Sequence, residues 1–171
     1  TLDSGASISD SQSSGYVALA AAANFVNNAG ASAISLSNGR WVVYSASPSN
    51  DVFGDLNSAN APVWGYTYNT LAPSSVSSGN RYVFASIPSV TVTANNINKT
   101  YGDVMTSTAV LGVSSSAGST AVYTLPTLSD VFSTLPVATS AGMTSTATVN
   151  GGPYPITVTP GVAIAGYSVS Y

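Results

Sequence analysis

The sequence predicts an all-β chain in two parts: the terminal coils of a β-solenoid (β-helix) over residues 1–88, followed by a small antiparallel β-sandwich-like domain over residues 89–171. Three observations carry this expectation. Only 5% of the residues are charged, against about 25% in ordinary globular domains, and Ser, Thr, Asn, Gly and Ala fill the difference. The first half repeats short apolar runs between Asn and Gly turns, whereas the second half is written in alternating strands. Between them stands Ser89–Asp103, SVTVTANNINKTYGD, in which Val90, Val92 and Ala94 alternate strictly with Ser89, Thr91 and Thr93.

In the first half the runs are Tyr16–Ala20, Asn24–Val26, Ala33–Leu36 and Trp41–Tyr44, whose starts lie eight or nine residues apart. Asn27-Asn28, Ala29-Gly30 and Asn38-Gly39 separate them. Regular short strands of this kind suit stacked coils, or a plain antiparallel sheet, and the coils are the preferred reading. Tyr16–Val26 holds five alanines and could form a short helix by propensity alone. The Gly15 and Asn27-Asn28 brackets and the β-rich neighbours favour strand. Residues 45–61 read as a loop. Val63–Leu71 alternates again and puts Trp64, Tyr66, Tyr68 and Thr70 on one face, an aromatic stripe. Pro73–Asn80 is a turn, and Arg81–Ala85 a strand with Tyr82 and Phe84 on one side.

Ile87-Pro88 sets the boundary, because proline donates no ladder hydrogen bond and forces the residue before it into extended backbone. After it, strands are expected at Ser89–Ala94, Ser107–Val113, Ala121–Leu125, Thr144–Val149, Pro155–Thr159 and Tyr167–Tyr171, with Gly-, Ser- and Pro-rich connections. About six antiparallel strands in so short a segment make a small sandwich or open barrel.

The run SNGRWVVYSASPSNDVFGDL, followed by WGYTYNTLAPSSVSSGNRYVFA, resembles the segment that closes the β-helical shaft of filamentous-haemagglutinin-like exoproteins. These are large bacterial adhesins, typically secreted by the two-partner route. VTVTANNINKTYGD, with GGPYPITVTPGVAIAGYSVSY, resembles the MBG domain of the YG type, a β-rich repeat often strung behind such shafts. The resemblance covers about Asn24–Tyr171. It implies a secreted or surface-attached bacterial protein, with neighbouring domains of the same large exoprotein as partners and surface glycans or host receptors as further candidates. It also implies an amino-terminal secretion domain and a last Gly-Thr-Leu-Thr-Val-like strand, neither of which this sequence contains, so the second domain is expected to lack its last strand.

Composition limits the chemistry. Six Asp and three strong bases, Arg40, Arg81 and Lys99, give a net charge of −3, which argues against a nucleic-acid surface or an anionic membrane patch. No membrane insertion is expected, because the longest apolar run, Tyr16–Ala23, is far too short to span a bilayer. Thr1–Asp10 has neither the basic start nor the apolar centre of a signal peptide, so an exported chain is expected to be part of something longer. Without His or Cys, the His-based triads and thiol nucleophiles are out of reach, and Lys99 lacks the Ser-x-x context of a Ser-Lys arrangement. An enzyme is not expected.

Three sets of residues remain as candidates. Asp51 and Asp55, with Asn50 and Asn57, offer hard oxygens for Ca²⁺ but lack the EF-hand order; the competing reading makes both aspartates turn formers, and the same holds against a glycosidase pair. Trp64, Tyr66 and Tyr68 could stack on sugar rings, or could be the inward face of a strand. Arg40 and Arg81, each preceding an aromatic residue, could bind loop carbonyls or an acidic glycan. The expected function is therefore a non-catalytic structural or stalk segment of a surface adhesin. The alternative is an adhesive module that binds glycan or host surface through the aromatic stripe.

Overall fold

A computed structural model describes residues 1–11, 15–117 and 122–171. The chain is mainly β-sheet, and the helices of the described residues are single turns of three or four residues. None is long and apolar enough to cross a membrane. Two compact units form: unit 1 is Thr1–Pro88 with Ala117–Pro126, and unit 2 is Ser89–Ser116 with Thr127–Tyr171.

Unit 1 contains β1 (Ile8–Asp10), β2 (Tyr16–Ala20), β3 (Ile34–Leu36), β4 (Arg40–Ser45), β5 (Val63–Trp64) and β6 (Arg81–Phe84). The β-branched and aromatic density of RWVVYS and RYVF favours strand, and Tyr16–Ala20 is strand as well, not the helix its alanines allowed. All pairings are parallel: β1 with β3, and a four-stranded sheet in the order β2-β4-β6-β5. Isolated parallel bridges join Leu2 to Asn27 and Val26 to Val52. Ile8 faces Ile34 and Tyr16 faces Arg40. Four separate positions thus return to the next pass of the chain after 24 to 26 residues.

Strand alternation divides the four-stranded sheet into two buried faces. One carries Trp41 and Val43 of β4, Tyr82 and Phe84 of β6 and Trp64 of β5; there Tyr82 and Phe84 stack with their rings 6.0 Å apart, and Phe25 and Phe53 pack on Tyr82. The other face buries Val42, Tyr44 and Val83 under Val76, with Val63, Tyr66 and Leu71 alongside. A strand buried on both faces reads as an apolar run, which is why WVVY and YVF show no polar alternation.

The segment expected as a strand at Ala121–Leu125 in the second domain belongs instead to unit 1. Ala121 lies outside the described residues, and Val122–Tyr123 is a turn. Tyr123 sets its ring 5.9 to 6.5 Å from those of Phe53, Trp64, Tyr82 and Phe84. Ser58 N–H donates to Val122 O at 2.8 Å and Thr124 N–H to Asn60 O at 3.2 Å. The physical reason for the departure is this aromatic complement: the segment is a strap that closes the core of unit 1.

Unit 2 contains β7 (Ser89–Ala94), β8 (Leu111–Ser115), β9 (Phe132–Thr134), β10 (Val137–Thr139), β11 (Thr157–Thr159), β12 (Val162–Ala163) and β13 (Ser168–Ser170). β7 and β8 are antiparallel, while β13 joins β7 in parallel, so the largest sheet is mixed and not antiparallel throughout. Antiparallel pairs β10–β11 and β9–β12 complete it. Val90 and Val92 point inward to Val110, Leu111, Val131, Phe132 and Ala138. The expected strand Ser107–Val113 starts as one helical turn, Ser107–Val110, before β8. Thr144–Val149 forms no strand, because its backbone serves turns: Ala147 N–H returns to Thr144 O and Gly151 N–H to Thr148 O.

Candidate functional site

The aromatic stripe is not formed. Only Val63–Trp64 is extended; Gly65 turns the chain at φ +79° and Thr67–Thr70 closes a turn through Thr70 N–H to Thr67 O. The three rings therefore separate. Trp64 is 3% exposed in the aromatic core, 4.8 Å from Phe84, with its Nε1–H unpartnered among the described residues. Tyr66 is half-buried on the opposite face of the sheet. Tyr68 is 49% exposed and stands edge-on to Tyr44, 5.5 Å away. Tyr44 donates its hydroxyl to Leu71 O at 2.8 Å, and burial, with Tyr68 next, raises its pKa. Gly65 carries the signal against a continuous strand, since only glycine takes that backbone region readily.

Asp51 works inside unit 1. One carboxylate oxygen accepts from Phe25 N–H at 2.8 Å and the other from the Ser45 hydroxyl. Burial raises its pKa, against the lowering effect of these two bonds, and its charge adds to the burial that lifts the Tyr82 hydroxyl well above the usual tyrosine range. Asp55 is exposed at φ +60°. Asn57 turns its Oδ1 to Ala59 N–H. Both Asp51 oxygens are thus already engaged by protein donors. No three acidic, His or Cys side chains converge among the described residues.

The strong bases act as loop clamps. Arg40 donates to Ser77 O at 2.6 Å, Pro73 O at 2.7 Å and Val76 O at 3.0 Å, which holds residues 73–79 over the Val42–Tyr44 face. Arg81 donates to Ala61 O and Ser78 O. Carbonyl contact, and not an acidic glycan, is what both guanidinium groups meet in this fold.

Unit 2 holds a groove of about 420 Å³ that the sequence analysis did not single out. Its floor includes Met105, Val110 and Met143, and its rims carry Tyr101 and Tyr154. The rim is braced: Lys99 Nζ donates to Asp103 O at 2.8 Å and Thr144 O at 2.6 Å, Gly102 N–H to Ser145 O and Met105 N–H to Met143 O. Thr100 N–H donates to an Asp103 carboxylate oxygen at 3.1 Å. Tyr154 is fixed through its hydroxyl, which donates to Thr148 O at 2.8 Å and accepts from Thr148 N–H at 3.0 Å. Tyr-Gly in an Asn-rich turn was the available signal, because a ring in a turn has little core to enter.

No protein-family profile, no curated protein and no solved structure matches this chain.

Proposed function

We propose that this chain is a non-catalytic structural segment of a secreted bacterial surface adhesin, in which unit 1 supplies the closing coils of a β-solenoid shaft and unit 2 is a domain strung behind it. The observation that carries this reading is the parallel return after 24 to 26 residues at four places in unit 1. A chain that comes back to its own edge at so constant an interval stacks coil on coil, and each coil buries the apolar residues of its neighbour. The resemblance of SNGRWVVYSASPSNDVFGDL to the shaft ends of filamentous-haemagglutinin-like exoproteins, and of VTVTANNINKTYGD to MBG domains, supports the same reading.

The work of such a segment is mechanical. Ladder hydrogen bonds along the stack give stiffness, and the strap, laced to Ser58 and Asn60, covers backbone groups that would otherwise recruit a further strand. Its partners are the neighbouring domains of the same exoprotein, and the role needs no cofactor.

Two experiments test the proposal. Antibodies raised against the chain should label intact producing cells or their medium; labelling only after permeabilisation overturns the surface reading. Ser9 and Ser35 are exposed and face each other in the β1–β3 ladder, so cysteines at both should close a disulfide on mild oxidation. A pair at Ser9 and Ser37 should not, and equal yields from the two pairs would refute the stacked register.

A further inference from the structure

We infer that the groove of unit 2 is a binding site for an uncharged saccharide, with a sugar ring stacked on Tyr101 and its hydroxyls held by the amides of Asn96 and Asn98. Four observations lead there. Tyr101 is 68% exposed although it sits beside an apolar floor, so its ring faces solvent from a loop that does not yield. Lys99, Gly102 and Met105 tie that loop to residues 143–145 at both ends of the Tyr-Gly-Asp turn, and Gly102 takes φ +98°. A displayed ring on a fixed support loses little freedom when a ligand covers it.

The facing rim is equally set. Tyr154 is wedged where a Cβ on Gly142 or Gly151 would strike its ring, and its hydroxyl is closed on Thr148. Both glycines are needed for the ring to stand at the groove.

The lining chemistry selects the ligand. Asn96 and Asn98 line the groove, are exposed, and their side chains make no hydrogen bond to a described residue. A primary amide offers a donor and an acceptor side by side, the match for neighbouring hydroxyls on a sugar ring. The polarised C–H face of the ring meets the negative face of an aromatic. The groove's single cation, Lys99, already gives two of its N–H groups to carbonyls, and the nearby Asp103 carboxylate takes Thr100 N–H. An uncharged ligand follows. A volume near 420 Å³ holds about two sugar rings.

Saturation-transfer NMR on the full chain, with maltotriose, cellotriose, mannotriose and tri-N-acetylchitotriose as probes at millimolar concentration, tests this. Transfer to at least one probe is expected, together with shifts of the Asn96 and Asn98 side-chain amides in the ¹⁵N spectrum. Tyr101→Ala, at an exposed position that leaves the fold intact, should weaken binding roughly three- to tenfold, the loss of one stacking contact. Asn98→Ala should weaken it as well, whereas Tyr68→Ala, an exposed ring of unit 1, should change nothing. Absence of transfer to all four probes overturns the inference. So does binding that survives Tyr101→Ala, binding lost with Tyr68→Ala, or a groove occupied by the apolar dye ANS that no probe displaces.

Discussion

Tyr123→Ala should destabilise unit 1 more than any other single change in residues 89–171. Tyr123 is 5% exposed, packs against four rings of the unit 1 core, and donates its hydroxyl to Ala117 O at 2.9 Å. Truncating a buried aromatic side chain costs about 3–5 kcal/mol, because the lost transfer energy is compounded by the cavity left behind. With a urea slope of about 1.5–2 kcal/mol/M for a unit of this size, the unfolding midpoint should fall by on the order of 2 M. Tryptophan emission is the assay. The chain has two tryptophans, Trp41 and Trp64, and both are in unit 1, so the signal reports that unit. Hydrogen exchange at Val90 and Val92 reports unit 2 separately and should be little altered. Tyr123→Phe keeps the ring, removes one hydrogen bond, and should cost about 1 kcal/mol. A Tyr123→Ala midpoint within error of the parent would refute the strap, since the ring would then not be part of the core.

Three further outcomes follow from unit 1. Arg40→Lys replaces a fork that reaches Ser77, Pro73 and Val76 carbonyls by one ammonium; hydrogen exchange in residues 73–79 should quicken, with a loss of about 1.5–3 kcal/mol in urea unfolding. Gly54→Ala should cost about 2 kcal/mol or more, read as a drop in melting temperature, because Gly54 has φ +57° and a Cβ there would collide with the backbone oxygen of Asn27. Asp51 has a raised pKa in the folded chain, so the fold favours its protonated form. Its favourable contribution is complete below the unfolded value of about 3.9 and is lost as pH rises through the folded value. Asp51→Asn should therefore flatten the decline in stability from acid to neutral pH while Asn Oδ1 still accepts from Phe25 N–H, and an unchanged pH profile would show that Asp51 is not its source.

The strands most visible in the sequence are those whose own residues decide them. Ser89–Ala94 is strand over the residues its alternation marks, and Arg40–Ser45 and Arg81–Phe84 follow their apolar runs. Pairing direction was less visible. Tyr16 meets Arg40 in parallel because the intervening chain makes one full return, and no local pattern states the length of that return. Trp64, Tyr66 and Tyr68 alternate as a strand does, but a two-residue period cannot survive Gly65 at positive φ. Val122 and Tyr123 are an ordinary apolar pair in sequence; their destination is set by space among Phe53, Trp64, Tyr82 and Phe84, which lie 39 to 70 residues upstream of Tyr123. The groove was hidden for a related reason. Asn96, Asn98 and Tyr101 read as turn residues, and the other rim, at Tyr154, arrives from more than fifty residues away.

The scarcity of charge has its own consequence for stability. The cations and anions of this chain serve backbone groups far away in sequence: Arg40 holds carbonyls 33 to 37 residues on, Lys99 reaches Thr144 O across 45 residues, and Asp51 accepts from Phe25 N–H across 26. Such charge-assisted bonds are roughly twice as strong as neutral ones. Their partners are dipoles in contact, at 2.6–3.0 Å, and not counter-charges at a distance. Raising ionic strength from about 0.1 M to about 1 M shortens the screening length from about 10 Å to about 3 Å, which removes long-range attraction and leaves contact bonds nearly intact. The urea-unfolding free energy of the chain should thus change by less than about 0.5 kcal/mol between the two salt concentrations, as expected where exposed ion pairs contribute little. A loss well above about 1 kcal/mol in high salt would mean that charge–charge attraction, and not the carbonyl clamps of Arg40 and Lys99, holds the loops in place.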